Sequence, residues 1–263
     1  MKNILVPIGS TENAQSTLQY AIDFAAEINA DVLVFRAYKA KSKAGTMVNM
    51  TAIIERETNL YLRTMVSAVD RKNVAVKLIS SKGSVAENVE AIDDEIGIDL
   101  VIVGAKSNSI KEEVFLGATA GSIVKNTNLP VLTVPEGYVY KPVKNILLAF
   151  KTGIVKSKTA LTPLKFIVKS FKTDVHSLLV KTARYKEEDL VVDKDLLEIQ
   201  TSFTTTENTT TFQGVLEHFK YHNPDMLCVF RRKRGFFKKL WKKKIILKQE
   251  FHTSIPLLIL KGK

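Results

Sequence analysis

An internal repeat is the feature that most constrains how this chain can fold. Three short stretches recur: KNILV at 2–6 as KNILL at 144–148, DLVIV at 99–103 as DMLCV at 225–229, and LPVL at 129–132 as IPLL at 255–258. The interval from the aspartate to the proline is 31 residues in both halves. A length of 263 residues suits two small domains. We therefore predict related domains at residues 1–140 and 141–263, joined near residues 137–142.

Apolar runs and helical periodicity alternate through both halves. In the first half, strands are expected at 3–8, 32–37, 74–80, 99–104 and after Pro130, and helices at 12–29, 51–70, 83–96 and after Gly117. In the second half, strands are expected at 145–150, 175–180 and 199–204 and at residues 226 and 257, where no bounds are set. Helices are expected at 156–171, 187–197 and 211–221. This alternation is typical of parallel sheets that carry helices on both faces, the α/β class. Thr11 is the expected N-cap of the first helix.

Composition and motif content restrict the class of protein. No apolar run reaches the roughly 18 residues that span a bilayer, and Met1 leads directly into a strand-like segment, so we expect a soluble, cytoplasmic protein. A single cysteine, Cys228, excludes an intrachain disulfide. The sequence contains no GxxxxGK[ST], HExxH, GxSxG or CxxC motif. His218 and His222 stand four residues apart without an evident third ligand, and His176 is isolated in sequence. We therefore predict neither a metal site nor an enzyme, with at most an incidental slow ATPase.

A polar loop with a glycine at each end follows the strand at 99–104. Gly104 closes the strand and Gly117 opens a short helical segment that leads to Pro130. Glycines let backbone N–H groups approach an anion, and a helix N-terminus contributes a positive partial charge. Two interpretations follow from this pattern, a phosphate site or a simple turn between a strand and a helix.

The loop resembles the nucleotide-binding motif of the universal stress protein family, G-x2-G-x9-G-[ST]. Here the register reads Gly104-x2-Ser107-x9-Gly117-Ala118, and the flanks ILVPIGSTENAQSTLQYA and LPVLTVP also resemble that family. The resemblance implies two Rossmann-like or flavodoxin-like domains, each a five-stranded parallel sheet of order 3-2-1-4-5, packed as an intramolecular pseudo-dimer. Further homodimerisation stays open. The implied role is a stress-response or regulatory module that binds ATP or another adenine nucleotide.

The resemblance also identifies the candidate binding residues, three of which depart from the family pattern. The candidates are Gly9, Ala37, Gly104, Ser107, Gly117, Ala118 and Thr119. The family has Asp at the position of Gly9, Gly at Ser107, and Ser or Thr at Ala118. The lost hydroxyl has possible substitutes in Thr119 and Ser122, whereas Gly9 removes a carboxylate outright. A working nucleotide site, and a surviving family turn whose site has decayed or adapted to a smaller anion, therefore both remain as interpretations.

The second half is strongly basic. The chain carries a net charge of +12, and counting by halves gives −2 for residues 1–140 and +14 for residues 141–263. Aligning the two halves by the repeat shows that the motif positions are occupied in the second half by Phe230, Lys233, Lys243 and Lys244. The motif glycines are therefore absent from the second half. The basic residues in question are Arg231, Arg232, Lys233, Arg234, Lys238, Lys239, Lys242, Lys243 and Lys244. One expectation is that the run is a solvated surface. The other is that the protein is a scaffold that binds no nucleotide and uses the run to bind a partner, nucleic acid or an anionic membrane.

Overall fold

The computed structural model describes residues 1–9, 13–39, 50–105, 117–155, 157, 159–231 and 255–261. The first half contains strands β1 (Asn3–Pro7), β2 (Asp31–Tyr38), β3 (Val76–Lys82), β4 (Leu100–Gly104) and β5 (Val131–Val134), and helices α1 (Ala14–Ile28), α2 (Met50–Ser67), α3 (Val85–Ile96) and α4 (Gly117–Asn126). The second half contains strands β6 (Asn145–Phe150), β7 (Asp174–Lys181), β8 (Ser202–Glu207), β9 (Met226–Phe230) and β10 (Leu257–Leu260), and helices α5 (Thr162–Phe171), α6 (Lys194–Leu197) and α7 (Thr211–His222). This alternation confirms the α/β class.

The ten strands form one sheet in the order β3-β2-β1-β4-β5-β10-β9-β6-β7-β8. Each half is a parallel five-stranded unit of the expected order 3-2-1-4-5, counted from the first strand of that half. The halves meet where β5 and β10 run antiparallel, with Leu132 opposite Leu258. Because strand direction reverses at this seam, the carboxyl ends of the two sets of strands lie on opposite edges of the sheet.

Two layers of apolar side chains cover the two faces of the sheet. In β1, Ile4 and Val6 point into the layer that contains α1, α2 and α5, whereas Leu5 points into the layer that contains α3, α4 and α7. This alternation follows from the two-residue period of a strand. Both layers include residues from both halves. Within the described ranges, no helix combines the length and the apolar character that a membrane crossing requires.

The repeated aspartate has the same structural role in each half. One carboxylate oxygen of Asp99 accepts hydrogen bonds from the backbone N–H groups of Lys2 and Asn3, at 2.6 and 3.0 Å. The corresponding oxygen of Asp225 accepts from Lys144 and Asn145, at 3.0 and 3.1 Å. The carboxylate therefore satisfies two N–H groups at the start of the central strand, which explains why the aspartate and the Lys-Asn pair recur together.

The segment between the halves is tied to both of them. Tyr140 packs its ring edge against Tyr20 of α1, with ring centroids 5.4 Å apart. The ammonium group of Lys141 lies 3.1 Å from Asp225 in the second half. Burial raises the pKa of Asp225, but Lys141 and the two backbone N–H groups outweigh burial, so the net pKa is lowered. The division at residue 140 stays a prediction, because both apolar layers cross it.

One predicted helix is wrong. The segment 187–197 was expected to be continuous, but it forms a 3-10 turn at Glu187–Leu190 and the four-residue helix α6. Asp193 starts α6 as its N-cap, accepting from the N–H of Asp195 at 3.0 Å. In the first half the 18-residue helix α2 follows the second strand. The separation in sequence between repeated residues falls from 142 to 126 along the chain, so the second half is 16 residues shorter than the first. The shortening thus lies in this segment between the second and third strands of the half.

Candidate functional site

The candidate residues of the first half gather at the carboxyl edge of its sheet. The chain leaves β1 toward β2 on one side, and leaves β4 toward β5 on the other, so the strand order changes direction between β1 and β4. In open α/β sheets, such a switch point opens a crevice where ligands bind. Gly9 lies just beyond β1 and Gly104 ends β4, so they flank this point.

At the end of β1, the carbonyl oxygen of Gly9 is held by two side chains. The hydroxyl of Tyr61 donates to this oxygen at 2.8 Å, and Nη1 of Arg36 donates to it at 3.2 Å. The guanidinium carbon of Arg36 also lies 3.9 Å from the centroid of the Tyr61 ring, a cation–π geometry. The end of β1 therefore carries a fixed cation. Sequence reasoning missed Arg36, although a positive charge in the otherwise mostly apolar strand DVLVFRAY was its visible signal.

Gly104 has a packing reason to be glycine. A Cβ at this position would stand 2.6 Å from Oγ1 of Thr17 and 3.0 Å from Oδ1 of Asn13, both at the start of α1. Asn13 also donates from Nδ2 to the carbonyl oxygen of Ala105 at 3.1 Å. The first turn of α1 therefore packs directly on the end of β4. This contact accounts for the glycine without a ligand.

The far side of the glycine loop ends in a helix N-terminus. Helix α4 begins at Gly117, so the first backbone N–H groups of this ten-residue helix have no partner within the helix. Thr119 is exposed in the first turn. The Ser122 hydroxyl, a suggested substitute for the one missing at Ala118, instead accepts from Asn126 at 3.2 Å. Ser107 and the expected N-cap Thr11 lie outside the described residues, and Asn13 occupies the cap position of α1.

Ala37 lies on the opposite face of β2 from Arg36. It is half-buried and packs with Ile79 against the apolar layer that contains α3 and α4. Pro7 pairs with Phe35, and the N–H of Ile8 donates to the carbonyl oxygen of Phe35 at 2.7 Å, so Gly9 and Ala37 both lie just beyond the paired part of β1 and β2. The edge thus combines a small apolar surface, a fixed cation, and the N-terminus of α4.

Comparison with known proteins establishes the family. The sequence profile of the universal stress protein family matches residues 1–135, just over half of the chain. This chain belongs to the universal stress protein family. It is 35% identical over 81 residues to universal stress protein G of Shigella flexneri, which is 31% of this chain and 56% of that protein. It is also 20% identical over 140 residues to a universal stress protein of Methanocaldococcus jannaschii, 51% of this chain and 82% of that protein.

Solved structures extend the likeness in fold to the whole chain. A universal stress protein of Archaeoglobus fulgidus superimposes with a TM-score of 0.73 at 16% identity, covering 98% of both chains. A protein of unknown function from Pseudomonas aeruginosa PAO1 gives a TM-score of 0.58 at 14% identity, covering 100% of this chain and 93% of that one. These likenesses show the fold alone. The chain spans 56% of the length of universal stress protein G, the first relative above.

In the second half, part of the corresponding edge is covered by the chain itself. The N–H of Gly153, just beyond β6, donates to the carbonyl of Asp189 at 3.0 Å, and its carbonyl accepts from the N–H of Asp193 at 3.0 Å. A Cβ on Gly153 would stand 2.5 Å from the carbonyl oxygen of Val191. Residues 189–193 therefore pack on the backbone that follows the central strand.

Only the first residue of the basic run is described. Arg231 donates from Nη2 to the carbonyl oxygen of Lys125, at the C-terminal end of α4, at 2.7 Å. Burial lowers the pKa of Arg231, which nearby Glu90 partly offsets. Residues 232–254 lie outside the described residues, so an anionic partner for this run stays a prediction.

His176 is isolated in sequence but lies beside two other histidines in the structure. Its ring stacks on His222 with centroids 4.7 Å apart, and His222 stacks on His218 at 6.0 Å. Nδ1 of His176 lies 2.7 Å from the hydroxyl oxygen of Ser202. Burial lowers the pKa of His222, and its two histidine neighbours lower it further. In the described part of the chain, no cluster of His, Cys, Asp or Glu has the arrangement of a metal site.

Proposed function

We propose that this chain is a stress-response or regulatory module that binds ATP or another adenine nucleotide at the carboxyl edge of its first half. One observation carries the proposal. Gly9 lies just beyond β1, Gly104 ends β4, and α4 begins at Gly117, all at the edge where the strand order changes direction, and this supports a phosphate site there. A glycine beside a helix N-terminus offers backbone donors and a positive partial charge to a phosphate.

Each part of a nucleotide has a matching surface in this proposal. The phosphates lie at the N-terminus of α4, near Gly104, Ser107, Gly117, Ala118 and Thr119. The base lies over Ala37, whose small side chain leaves room for a flat ring, and the ribose lies between them, over Gly9. Backbone N–H groups make most of the phosphate contacts, so the changes at Ser107 and Ala118 do not remove them.

The proposal assigns the nucleotide to the first half alone. In the second half, Phe230 stands where the first half has Gly104, and residues 189–193 pack against Gly153. We propose one nucleotide per chain, held by an intramolecular pseudo-dimer whose role is not enzymatic and whose location is the cytoplasm. A protein of this kind responds to the nucleotide by a change in its own stability or contacts.

Titration of the purified full chain with ATP, AMP and cyclic AMP tests the proposal. Isothermal calorimetry is expected to show saturable binding at about one nucleotide per chain. Ligand binding to the folded state also raises its unfolding temperature by mass action. An absence of heat and of any thermal shift at millimolar concentrations of all three nucleotides would overturn the proposal.

A substitution that adds a negative charge at the N-terminus of α4 tests whether the phosphates bind there. Thr119→Glu sets a carboxylate where the phosphates are proposed, so repulsion should weaken ATP binding by about tenfold or more. The helix should remain folded, because an acidic side chain in the first turn interacts favourably with the helix dipole. Asn126→Glu adds the same charge at the other end of α4 and should leave affinity within about twofold. Equal losses in both variants would contradict a phosphate site at Thr119.

A further inference from the structure

A serine hydroxyl lies beside Ala37, on the face of the sheet that carries α3 and α4. In the pairing of β2 with β3, Phe35 is opposite Ile79 and Ala37 is opposite Ser81. Phe35, Ala37 and Ile79 all belong to the apolar layer that contains α3 and α4. Because side chains alternate along a strand, Ser81 points to the same face as Ile79 and Ala37. Ser81 is half-buried, so part of its surface remains open to solvent.

The side chain of Asn88 fixes the direction of the Ser81 hydroxyl. Nδ2 of Asn88 donates to the carbonyl oxygens of Ser84 at 2.9 Å and Lys82 at 3.3 Å. The amide oxygen Oδ1 can only accept, and it lies 2.7 Å from the hydroxyl oxygen of Ser81. The Ser81 hydroxyl therefore donates its one hydrogen to Asn88. Toward any further partner, the Ser81 oxygen can only accept a hydrogen bond.

The turn between β3 and α3 is tied to the end of β2. The N–H of Gly83 donates to the carbonyl oxygen of Tyr38, at 3.0 Å. A Cβ at Gly83 would stand 3.1 Å from Nδ2 of Asn88, so the turn backbone packs closely on the Asn88 amide. The Ser81–Asn88 pair is therefore in place before a ligand binds. A polar group oriented in advance loses little conformational freedom on binding.

The strand order determines which edge of a bound base faces Ser81. The order β3-β2-β1-β4 passes from Ser81 to Ala37, then to Gly9 and to Gly104. In the orientation proposed above, the phosphates lie near Gly104, the ribose lies over Gly9 and the base lies over Ala37. The base therefore extends away from the ribose toward β3. The edge of a purine that lies far from the ribose carries the substituent at position 6, so this substituent is nearest to Ser81.

We infer that Ser81, oriented by Asn88, selects adenine among the purines by accepting a hydrogen bond from its 6-amino group. This inference rests on the proposed nucleotide site and adds its base specificity. Adenine carries N–H donors at position 6, which match an oxygen that only accepts, whereas guanine and hypoxanthine carry a carbonyl oxygen there. For Ser81 to donate to that carbonyl, its hydrogen must leave Asn88, whose Oδ1 then loses its partner.

Calorimetry with ATP and inosine 5′-triphosphate (ITP) tests this selection. The wild-type chain is expected to bind ATP about tenfold more tightly than ITP, the effect of about one hydrogen bond. Ser81→Ala removes the acceptor, so ATP should bind more weakly and the two nucleotides should bind within about twofold of each other. Ser81→Thr keeps a hydroxyl on a residue that suits a strand, and it should keep the preference for ATP.

Ser80→Ala is the matched control for Ser81→Ala. Ser80 precedes Ser81 in β3, is half-buried like it, and points to the opposite face of the sheet. This variant should keep the tenfold preference. An unchanged preference in Ser81→Ala, or a preference lost equally in both variants, would overturn the role of Ser81.

Binding to the wild-type chain separates this inference from the nucleotide site itself. Equal affinities for ATP and ITP would overturn the selection by Ser81 and leave the nucleotide site intact. Binding of neither nucleotide would overturn the nucleotide site and the inference with it.

A third nucleotide covers the case in which Ser81→Ala does not fold. Purine riboside 5′-triphosphate carries only a hydrogen atom at position 6, which neither donates to Ser81 like an amino group nor repels it like a carbonyl. Its affinity for the wild-type chain is expected to lie between those of ATP and ITP. An affinity equal to that of ATP would show that the 6-amino group makes no hydrogen bond, and would overturn the inference.

Discussion

At the scale of single residues, packing and ligand binding compete to explain the same glycine. The contact of Gly104 with Thr17 and Asn13 is a structural requirement that any universal stress protein with this packing of α1 on β4 would meet. The glycine pattern alone therefore does not distinguish a phosphate site from a turn. Arg36 also has structural contacts, because its guanidinium lies over the Tyr61 ring and donates to the Gly9 carbonyl.

Substitution of Gly104 by alanine should destabilise the fold by about 1–3 kcal/mol, the usual cost of overpacking. The added Cβ would stand 2.6 Å from Oγ1 of Thr17, and Thr17 is β-branched and therefore stiff on its helix. Thr17→Ala in the same chain should recover part of the loss, which urea unfolding of the single and double variants would measure.

Gly97→Ala is the matched control for this pair. Gly97 has φ +78° and open space around its Cα, so alanine there costs backbone strain but contacts nothing. Thr17→Ala should give it no recovery. Strict additivity of Gly104→Ala and Thr17→Ala would show that the close approach at the end of β4 does not limit residue 104.

At the scale of elements, the sequence predicted the strands well and the short helices poorly. A buried strand needs only a short apolar run between breaks, and all ten predicted strands are present with ends shifted by a few residues. The predicted helix at 187–197 is interrupted because Val191 and Val192 are β-branched and the following Asp193 caps a new turn. Contacts between distant segments, such as Gly153 with residues 189–193, leave no periodic signal in the sequence.

In the candidate site too, positions set by the strand pattern were predicted, and contacts between distant segments were not. Gly9, Ala37 and Gly104 lie at the expected edge because their positions follow from the strand pattern and the family register. Arg36 was not predicted, because in a sequence a charged residue near a strand end resembles a solvated one. Only the pairing of β1 with β2 and the docking of α2 bring its guanidinium onto Tyr61 and Gly9.

The histidines between β7 and α7 predict a pH-dependent stability. Burial, followed by the neighbouring His176 and His218, lowers the pKa of His222 from 6.5. The unfolded chain therefore binds a proton that the folded chain resists, so the free energy of unfolding should fall as pH drops below about 6.5 and level off below the folded pKa. Urea unfolding between pH 7.5 and 5 measures this slope.

His222→Gln should flatten this dependence, because the remaining two rings no longer share a stacked neighbour. His252→Gln, a histidine outside the described residues, serves as the comparison and should leave the contribution from the stacked cluster unchanged. A slope that persists unaltered in His222→Gln would contradict the assignment to the stacked cluster.

At the scale of the whole molecule, the two halves are alike in fold and different in their edges. The antiparallel seam between β5 and β10 turns their carboxyl edges to opposite sides of the sheet. The first half presents the proposed nucleotide site at its edge, and in the second half the chain covers part of the equivalent edge and continues into the basic run. Helix α4 links the two sides, with Gly117 at the first edge and its last turn beside Arg231.

The most direct test of the central claim is an amide-resolved NMR titration of the full chain with ATP. Nucleotide binding at this edge should give saturable shifts confined to the first half, at Gly9, Ala37, Gly104, Ser107, Gly117, Ala118 and Thr119. The corresponding positions of the second half, beginning with Phe230, should not move. No shift at millimolar ATP, or shifts confined to the second half, would contradict nucleotide binding at the β1–β4 edge.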